Sequence, residues 1–209
     1  MPALHLVALF SVAIPMALGL LLDRLFGEAP RYHPLVGFGR YASAVERLFR
    51  RIGVGRGSGL LAWSAAVLPW VALAGSLKAG NVWLGLLLDI GLLYFAVGSR
   101  SLAEHARAVA EPLQAGDLSG ARQRLSWIVS RDTSQLDASG VAKATVESVL
   151  ENGNDAVFGA LFWFVLLGGP GALLYRLANT LDAMWGYRND RYLRFGWAAA
   201  RIEDRKSVV

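Results

Sequence analysis

The chain has no cysteine among its 209 residues, which excludes disulfide bonds, zinc–thiolate sites and iron–sulfur clusters. It also lacks the two common nucleotide signatures, the GxxxxGK[ST] phosphate loop and a GxGxxG turn that opens a helix. The glycine-rich stretch "GVGRGSG", residues 53–59, precedes an apolar run and is typical of a flexible linker rather than a phosphate cradle. Any nucleotide chemistry therefore needs a site of another kind.

Acidic residues are outnumbered by basic ones, 16 against 21, and the net charge is +5. Of the residues, 55% are hydrophobic, which is high for a soluble domain of this size. A basic chain can bind nucleic acid, but beside long apolar runs the positive-inside distribution of membrane proteins is the simpler cause. The composition indicates an integral membrane protein and no nucleic-acid partner.

About four apolar segments are long enough to be considered as spans, since a spanning helix needs about 20 residues. They are Leu4–Leu22, Leu60–Leu77, Val82–Ser99 and Val157–Ala178. The first lacks a basic leader and a small-residue cleavage site, so we expect a retained anchor. The basic segment Asp23–Gly59 and the long polar segment Arg100–Ala156 are predicted to face the cytoplasm. The expected fold is an all-α, polytopic membrane protein with cytoplasmic helical loops.

Two features interrupt the apolar segments. Asp89 lies in the middle of the third, where a carboxylate costs about 2.5–3.5 kcal/mol. Nothing else polar is expected along these helices, so we predict that Asp89 packs as a neutral acid rather than marking an ion path. "GGPG", Gly168–Gly171, breaks the fourth segment, and the arginine-rich stretch Arg176–Arg201 after it should stay inside. Two half-helices in a re-entrant hairpin fit better than one crossing helix.

The polar segment is predicted to form three helices, with the first break at Gly116-Asp117 and the third helix running from Gly140 to Asp155. Ser134, with Asp137 three residues later, matches a capping box.

Lys143, Glu147, Glu151 and Asp155 are spaced four apart and would form one stripe on a helix. The plain interpretation is a solvated face with a Lys–Glu pair. However, like-charge neighbours at this spacing are destabilising, and a cation would relieve them. Magnesium suits such a stripe because it accepts one or two carboxylates and keeps positions for water and phosphate oxygens. The residues alone leave both interpretations open.

Arginine stands beside acidic or amide side chains in "SRDTS", Ser130–Ser134, and in "GYRND", Gly186–Asp190. Paired N–H···O bonds from arginine are strong, so each cluster suits phosphate or carboxylate. Each could equally be a helix cap or an interfacial arginine, and the nearby aromatic residues fit a membrane-surface belt. A third motif, "LLDRLFGEAPRYHPLVGFGR", follows the first apolar segment and holds His33 extended before a proline.

These motifs, in this order, resemble the CobD/CbiB family, the membrane-bound adenosylcobinamide-phosphate synthases of cobalamin biosynthesis. The resemblance runs from about Leu21 to Ile202. It rests on "DRLFGEAPRYHP", "RSLAEHA", "RDTSQLD", "VESVLEN" with Asp155, "LFW" and "NTLDAMWGYRNDRYLRFGWAAAR". Members of the family continue beyond this point with further cytoplasmic sequence and a final membrane segment.

The resemblance implies an ATP-dependent amide ligase in the bacterial inner membrane, with its active loops in the cytoplasm. It would join adenosylcobyric acid to aminopropanol phosphate, with Mg2+ bound by Glu147, Glu151 and Asp155. Expected catalytic residues are Glu147 and Glu151, with Asp182 or His33 as the base. Expected substrate- and phosphate-binding residues are Arg40, Arg131, Asp132, Thr133, Lys143, Asn179, Tyr187, Arg188 and Asn189. Other cobalamin-assembly enzymes at the membrane are further expected partners.

Two alternative functions are a membrane regulator and a transporter. A non-enzymatic membrane regulator similar to AmpE would not need the acid stripe together with both arginine clusters, and a transporter would explain Asp89 but none of the polar motifs.

The tail "DRKSVV", Asp204–Val209, matches the translation of a common sequencing adapter. We therefore expect residues 1–203 to be a single, C-terminally incomplete domain and residues 204–209 to be foreign.

Overall fold

A computed structural model describes residues 2–28 and 34–206, and it places side chains for residues 11–28 and 34–204. Within these residues the chain is helical and contains no strand, which confirms the all-α class. The α-helices are α1 Pro2–Phe26, α2 Pro34–Ile52, α3 Arg56–Gly80, α4 Val82–Ala96, α5 Ser99–Gln114, α6 Leu118–Leu125, α7 Ala138–Gly153, α8 Ala160–Leu167, α9 Gly169–Trp185 and α10 Trp197–Lys206.

Two stretches are long and apolar enough to cross a membrane. They are Arg56–Gly80, which is α3, and Val82–Gln114, which bends at Val97-Gly98 between α4 and α5. The predicted segment Leu4–Leu22 lies in α1, but its first residues fall outside the part with described side chains. Length and composition thus support two of the four predicted spans.

The fourth apolar segment folds back on itself. Helix α8 ends at Leu167, the chain turns at Gly168 with φ +69°, and α9 returns along α8. The positive φ at Gly168 is strained for any residue with a β-carbon, so the backbone angle requires glycine. The predicted pair of half-helices is confirmed.

Asp89 holds this turn in place. Lys78 Nζ donates to the two Asp89 carboxylate oxygens at 2.8 and 2.7 Å, and the Gly169 N–H donates to Oδ1 at 2.7 Å. The expectation that nothing else polar lines α3 and α4 is wrong, because the Lys78 side chain reaches back from the end of α3. Asp89 is therefore ion-paired and caps the N-terminus of α9 from a neighbouring helix.

The hairpin stops short of the far end of the bundle. Asp89 lies seven residues after Val82, the first residue of α4, which is about 10 Å along the helix. The tip of the hairpin contacts α4 at this level, and its re-entrant placement in a membrane stays a prediction.

Helix α9 is central and contacts α2, α3, α4, α8 and α10. One core cluster joins α9 to α2, α3 and α10, and a second joins it to α4 and α8 with α1 packed alongside. A third core belongs to α5, α6 and α7 and consists of Val109, Ala121, Leu125, Val141 and Ala144. The polar segment is thus a three-helix unit with its own apolar interior.

The predicted break at Gly116-Asp117 is confirmed, and Asp117 caps α6 by accepting from the Gly120 N–H at 2.9 Å. The next helix, α7, begins at Ala138 rather than Gly140. The predicted capping box is wrong, since Asp137 itself is the cap and Ser134 lies in the preceding turn.

The pairing of Asp89 gives a stability prediction. Asp89→Ala leaves the Lys78 ammonium without its partner and uncaps α9, so we expect a loss of roughly 3 kcal/mol. Thermal unfolding in detergent micelles, followed by helical circular dichroism, measures it. The double variant Asp89→Ala/Lys78→Ala should recover part of the loss, because no uncompensated charge remains. Additive losses would contradict the pairing.

Candidate active site

A cavity of about 330 Å³ lies where the end of α1, α5, α7 and α9 meet. Its polar lining consists of Glu28, Ser101, His105, Ser148, Asn152 and Arg176. Most of these residues belong to motifs that are far apart in the chain, namely "DRLFGEAPRYHP", "RSLAEHA" and "VESVLEN". The fold therefore brings three motifs to one place.

The Asp23 carboxylate fixes α5 against α1. Asp23 is 1% exposed, and its Oδ2 accepts from the Ser99 hydroxyl and from the Arg100 N–H at 3.1 Å. A carboxylate at this position satisfies a free N–H of the first turn and interacts favourably with the helix dipole. His105, two turns further along α5, is thereby set in the cavity wall.

Hydrogen bonds from α4 and α5 also hold the chain where α1 ends. Gly27 ends the helix with φ +64°, and its carbonyl accepts from the Tyr94 hydroxyl at 2.8 Å. Arg100 Nη1 donates to the Leu25 carbonyl at 2.6 Å. These bonds place Glu28 at the edge of the cavity.

Arg176 and Glu28 form an ion pair across the cavity, with Nη2 3.1 Å from Oε1. The Arg176 side chain is 15% exposed, and its Nε is buried with no hydrogen-bond partner among the residues that the structure describes. Arginine offers five donors in a fixed fork, so Arg176 retains capacity for an anionic ligand.

Ser148 and Asn152 support the opposite wall. The Ser148 hydroxyl donates to the Ile128 carbonyl at 3.1 Å, and Asn152 Nδ2 donates to the Ser148 carbonyl at 2.8 Å. Both side chains are therefore held by the helix and by the α6–α7 connection. The bond from Ser148 to the Ile128 carbonyl therefore restricts rotation of α7 beside the cavity.

Beyond α7 the helix changes its winding. Residues Asn154–Gly159 form a π-helical turn, in which each hydrogen bond spans one residue more than in an α-helix. Asp155 lies in this turn, half-buried, and its Oδ1 is 3.4 Å from the Tyr175 hydroxyl. The Gly98 N–H donates to the Ala156 carbonyl at 3.2 Å, which joins the turn to the start of α5.

The acid stripe is not a preformed metal site. Glu147 binds Arg131 at 2.8 Å and lies 3.9 Å from Lys143, Glu151 is exposed on the α7 surface, and Asp155 belongs to the π-helical turn. Among the described side chains, no three histidine, aspartate or glutamate residues form a group that could hold a metal ion. The described side chains of Glu147, Glu151 and Asp155 are therefore not gathered into one site, and magnesium binding by them stays a prediction.

The neighbouring candidates, Asp132 and Thr133, shape the turn before α7. The Ser134 N–H and hydroxyl donate to Asp132 and lower the pKa of its carboxyl. Thr133 is buried, and its hydroxyl donates to the Arg122 carbonyl at 3.0 Å. The Thr133 hydroxyl thus joins this turn to α6, and its expected contact with phosphate stays a prediction.

The segment 186–196 after α9, which is rich in charged and aromatic residues, is fixed by a buried acid on α2. Glu46, 4% exposed, accepts from Arg50 Nε at 2.8 Å and from Arg191 Nη2 at 2.9 Å. The Tyr192 hydroxyl lies 3.3 Å from Glu46 Oε2. Burial and then the charge of Glu46 raise the pKa of the Tyr192 phenol, which keeps it a proton donor.

Tyr187 and Arg188 line a second cavity, described below, while Asn189 accepts from the Tyr192 N–H at 3.0 Å and closes a turn. Asn179 and Asp182 are half-buried on α9 and do not line the first cavity. Arg40 is exposed on α2, also away from that cavity, and His33 lies outside the described residues. The structure thus does not unite these candidates with the acid stripe.

Sequence reasoning missed Glu28, His105, Asn152 and Arg176. The first three lie inside motifs that carry the family resemblance, so membership in a motif was an available signal. Arg176 lies near the end of an apolar segment, where an arginine is ordinarily interpreted as a residue of the membrane–water interface without a role in a site.

The capping role of Asp23 can be tested by hydrogen exchange. Asp23→Ala should speed exchange of the first-turn amides of α5 roughly fivefold, the equivalent of a lost cap of about 1 kcal/mol. Asp117→Ala, which removes the cap of α6, serves as the matched control and should affect α6 alone. Unchanged exchange at Arg100 in the Asp23 variant would show that the buried carboxylate does not hold α5.

Comparison with known proteins agrees with the motifs. A family model described as CobD/Cbib protein matches residues 16–207. A cobalamin biosynthesis protein CobD from Chromobacterium violaceum is 57% identical over 199 residues, covering 92% of this chain and 64% of that protein. The CobD proteins of Stutzerimonas stutzeri and Klebsiella pneumoniae are 58% and 39% identical, over 95% and 88% of this chain and 66% and 60% of their own lengths.

The chain thus spans 60–66% of the length of these relatives. No solved structure matches it. The family model covers nearly the whole chain, and two of these relatives share more than half of their aligned residues with it. The chain belongs to the CobD/CbiB family.

Proposed function

We propose that this chain contributes to an ATP-dependent amide ligase that joins adenosylcobyric acid to aminopropanol phosphate, giving adenosylcobinamide phosphate. The observation that carries the proposal is the convergence of Glu28, His105, Asn152 and Arg176 in one cavity. Family membership and the names of the relatives, which are cobalamin biosynthesis proteins, support the same pathway.

The proposed location is the bacterial inner membrane, with the cavity on the cytoplasmic side. Large apolar side chains are exposed on the outer faces of α1, α3, α4 and α8, which suits contact with lipid. They include Leu18, Leu21, Leu68, Leu73, Leu87 and Leu166. The end of α1 and the bend between α4 and α5 meet at the polar unit, so both basic segments lie toward one end of the bundle.

Arg176 is the proposed anchor for an anionic substrate group. It lies in the cavity wall, and its buried Nε has no hydrogen-bond partner in the part of the chain that the structure describes. A substrate carboxylate or phosphate would replace Glu28 on the guanidinium, since paired charge-assisted hydrogen bonds favour that exchange. The released Glu28 carboxylate would then be available to accept hydrogen bonds from the amine substrate.

The reaction needs an activated carboxylate because a free carboxylate does not react with an amine. ATP would transfer its terminal phosphoryl group to the propionate, giving an acyl phosphate and ADP. The neutral amine would attack the acyl carbon, the C–N bond would form, and inorganic phosphate would leave. We assign His105, which lines the cavity, as the acceptor of the proton that the amine loses. Asp182 and His33 stay the alternative candidates for this base, and His33 lies outside the described residues.

Magnesium is expected with the nucleotide, but the described side chains offer no preformed centre for it. No step of the proposed mechanism therefore depends on a protein-bound metal.

The size of the cavity limits what can enter it. At about 330 Å³ it is at the small end of ligand sites and suits a side arm or a small amine phosphate. The corrin ring would remain outside, against the surface of the polar unit, with one propionate inserted.

Arg176→Gln gives the decisive variant. Losing the guanidinium should lower kcat/KM for amide formation about 100-fold, the order expected for one strong charge-assisted contact to the reacting group. Arg107→Gln, which removes an exposed arginine of α5 outside the cavity, is the matched control and should stay within about twofold. Equal activity of the two variants would remove Arg176 from the site.

The function itself is tested with the protein expressed in membranes. Adenosylcobyric acid, aminopropanol phosphate, ATP and magnesium are supplied, and the amide is sought by mass spectrometry. Product that requires ATP supports the ligase. No product, while a known synthase works in parallel, would favour a non-enzymatic regulator instead.

A further inference from the structure

A second cavity, of about 500 Å³, lies between the start of α3, the segment after α9 and α10. Four arginines line it, namely Arg56, Arg188, Arg194 and Arg201. One acid, Asp204, also lines it. The cavity is therefore strongly basic.

These arginines differ from the other arginines near the polar ends of the helices. Arg50, Arg131 and Arg176 each form an ion pair with a carboxylate. In contrast, the structure as described gives Arg188 and Arg194 no ion pair. Like charges gathered without partners repel one another, so an anion in the cavity would stabilise the arrangement.

The cavity wall is held by a rigid scaffold. The Glu46 network fixes Arg191 and Tyr192 to α2, and Arg50 Nη2 donates to the Arg191 carbonyl at 2.6 Å. A β-carbon at Gly196 would collide with the Trp185 carbonyl, so the chain passes tightly over the end of α9. The arginines are thus presented on a fixed loop rather than on a mobile one, which lowers the entropic cost of binding.

The position of the cavity relative to the apolar helices indicates the kind of anion. Arg56 is the first residue of α3, which among the described residues is long and apolar enough to cross a membrane. Its guanidinium carbon lies 5.2 Å from the centroid of the Trp197 ring. Tyr187 and Leu193 are exposed beside the arginines, and Leu61 is exposed in the next turns of α3. A basic site bordered by aromatic and apolar side chains at a helix end matches the headgroup level of a bilayer.

We propose that this arginine pocket binds the phosphate headgroup of an anionic phospholipid. Arg188 and Arg194 would donate to the phosphate oxygens, while Tyr187, Leu193 and Trp197 would contact the glycerol and the upper acyl chain. The pocket is separate from the proposed active site, since Arg176 and Gly186 are ten residues apart on α9, about 15 Å along the helix. The inference does not require the ligase to be correct.

The test uses the full 209-residue chain in dodecyl maltoside micelles and native mass spectrometry. Dioctanoyl phosphatidylglycerol is titrated as the anionic probe and dioctanoyl phosphatidylcholine as the zwitterionic one. Arg188→Gln/Arg194→Gln is compared with Arg47→Gln/Arg51→Gln, which removes the same charge from exposed positions on α2. Arg188→Lys/Arg194→Lys keeps the charge, and circular dichroism checks that each variant is folded.

We expect the wild-type chain to prefer phosphatidylglycerol, and the pocket variant to lose about tenfold in affinity or more. The α2 variant should change by less than about twofold, the lysine variant should retain most of the binding, and inorganic phosphate should not displace the lipid. Equal losses in the two glutamine variants would show diffuse attraction and overturn the proposal. Displacement by inorganic phosphate would overturn it in favour of a soluble phosphate ligand, and absence of a preference between the two lipids would also reject it.

Discussion

A single buried carboxylate, Asp23, joins the apolar bundle to the polar three-helix unit. It stands at the end of α1 and accepts hydrogen bonds from the first residues of α5, so the two parts of the molecule share a fixed junction. The cavity lies at this junction, and its lining depends on it. Glu28 follows Asp23 by five residues, and His105 follows the capped end of α5 by two turns. The cap sets the position of His105, while the bonds to the Gly27 and Leu25 carbonyls and the ion pair with Arg176 position Glu28.

Charge is treated differently in the interior and at the ends of the helices. Asp89 with Lys78, and Glu46 with Arg50 and Arg191, are carboxylates that lie buried and paired. Asp89 ties the turn at Gly168 to α4, and Glu46 ties the segment after α9 to α2 through Arg191, whereas Arg50 and Glu46 lie one turn apart on the same helix. Arg188 and Arg194, which line the second cavity, form no ion pair among the described residues. The density of charge in the segment 179–196 thus has two origins, since Arg191 serves the fold and Arg188 and Arg194 face a cavity.

The sequence predicted those features that local pattern controls. The break at Gly116-Asp117, the turn at Gly168 and the all-helical class follow from glycine, proline and apolar periodicity. Some failures come from contacts between residues on different elements, whereas the cap at Asp137 and the π-helical turn are local. Lys78 reaches Asp89 from the preceding helix, Arg131 neutralises Glu147, and the π-helical turn that orients Asp155 leaves no mark in a four-residue spacing. Arg176 could be assigned to a site only after Glu28 was seen beside it.

Entry of a substrate carboxylate into the proposed cavity between α5, α7 and α9 can be measured by hydrogen–deuterium exchange on the full chain, with and without adenosylcobyric acid. We expect slower exchange in the first half of α5 and across residues 148–156, with little change in α6. Slowing confined to residues 186–201 would contradict it and would place the corrinoid at the arginine pocket instead.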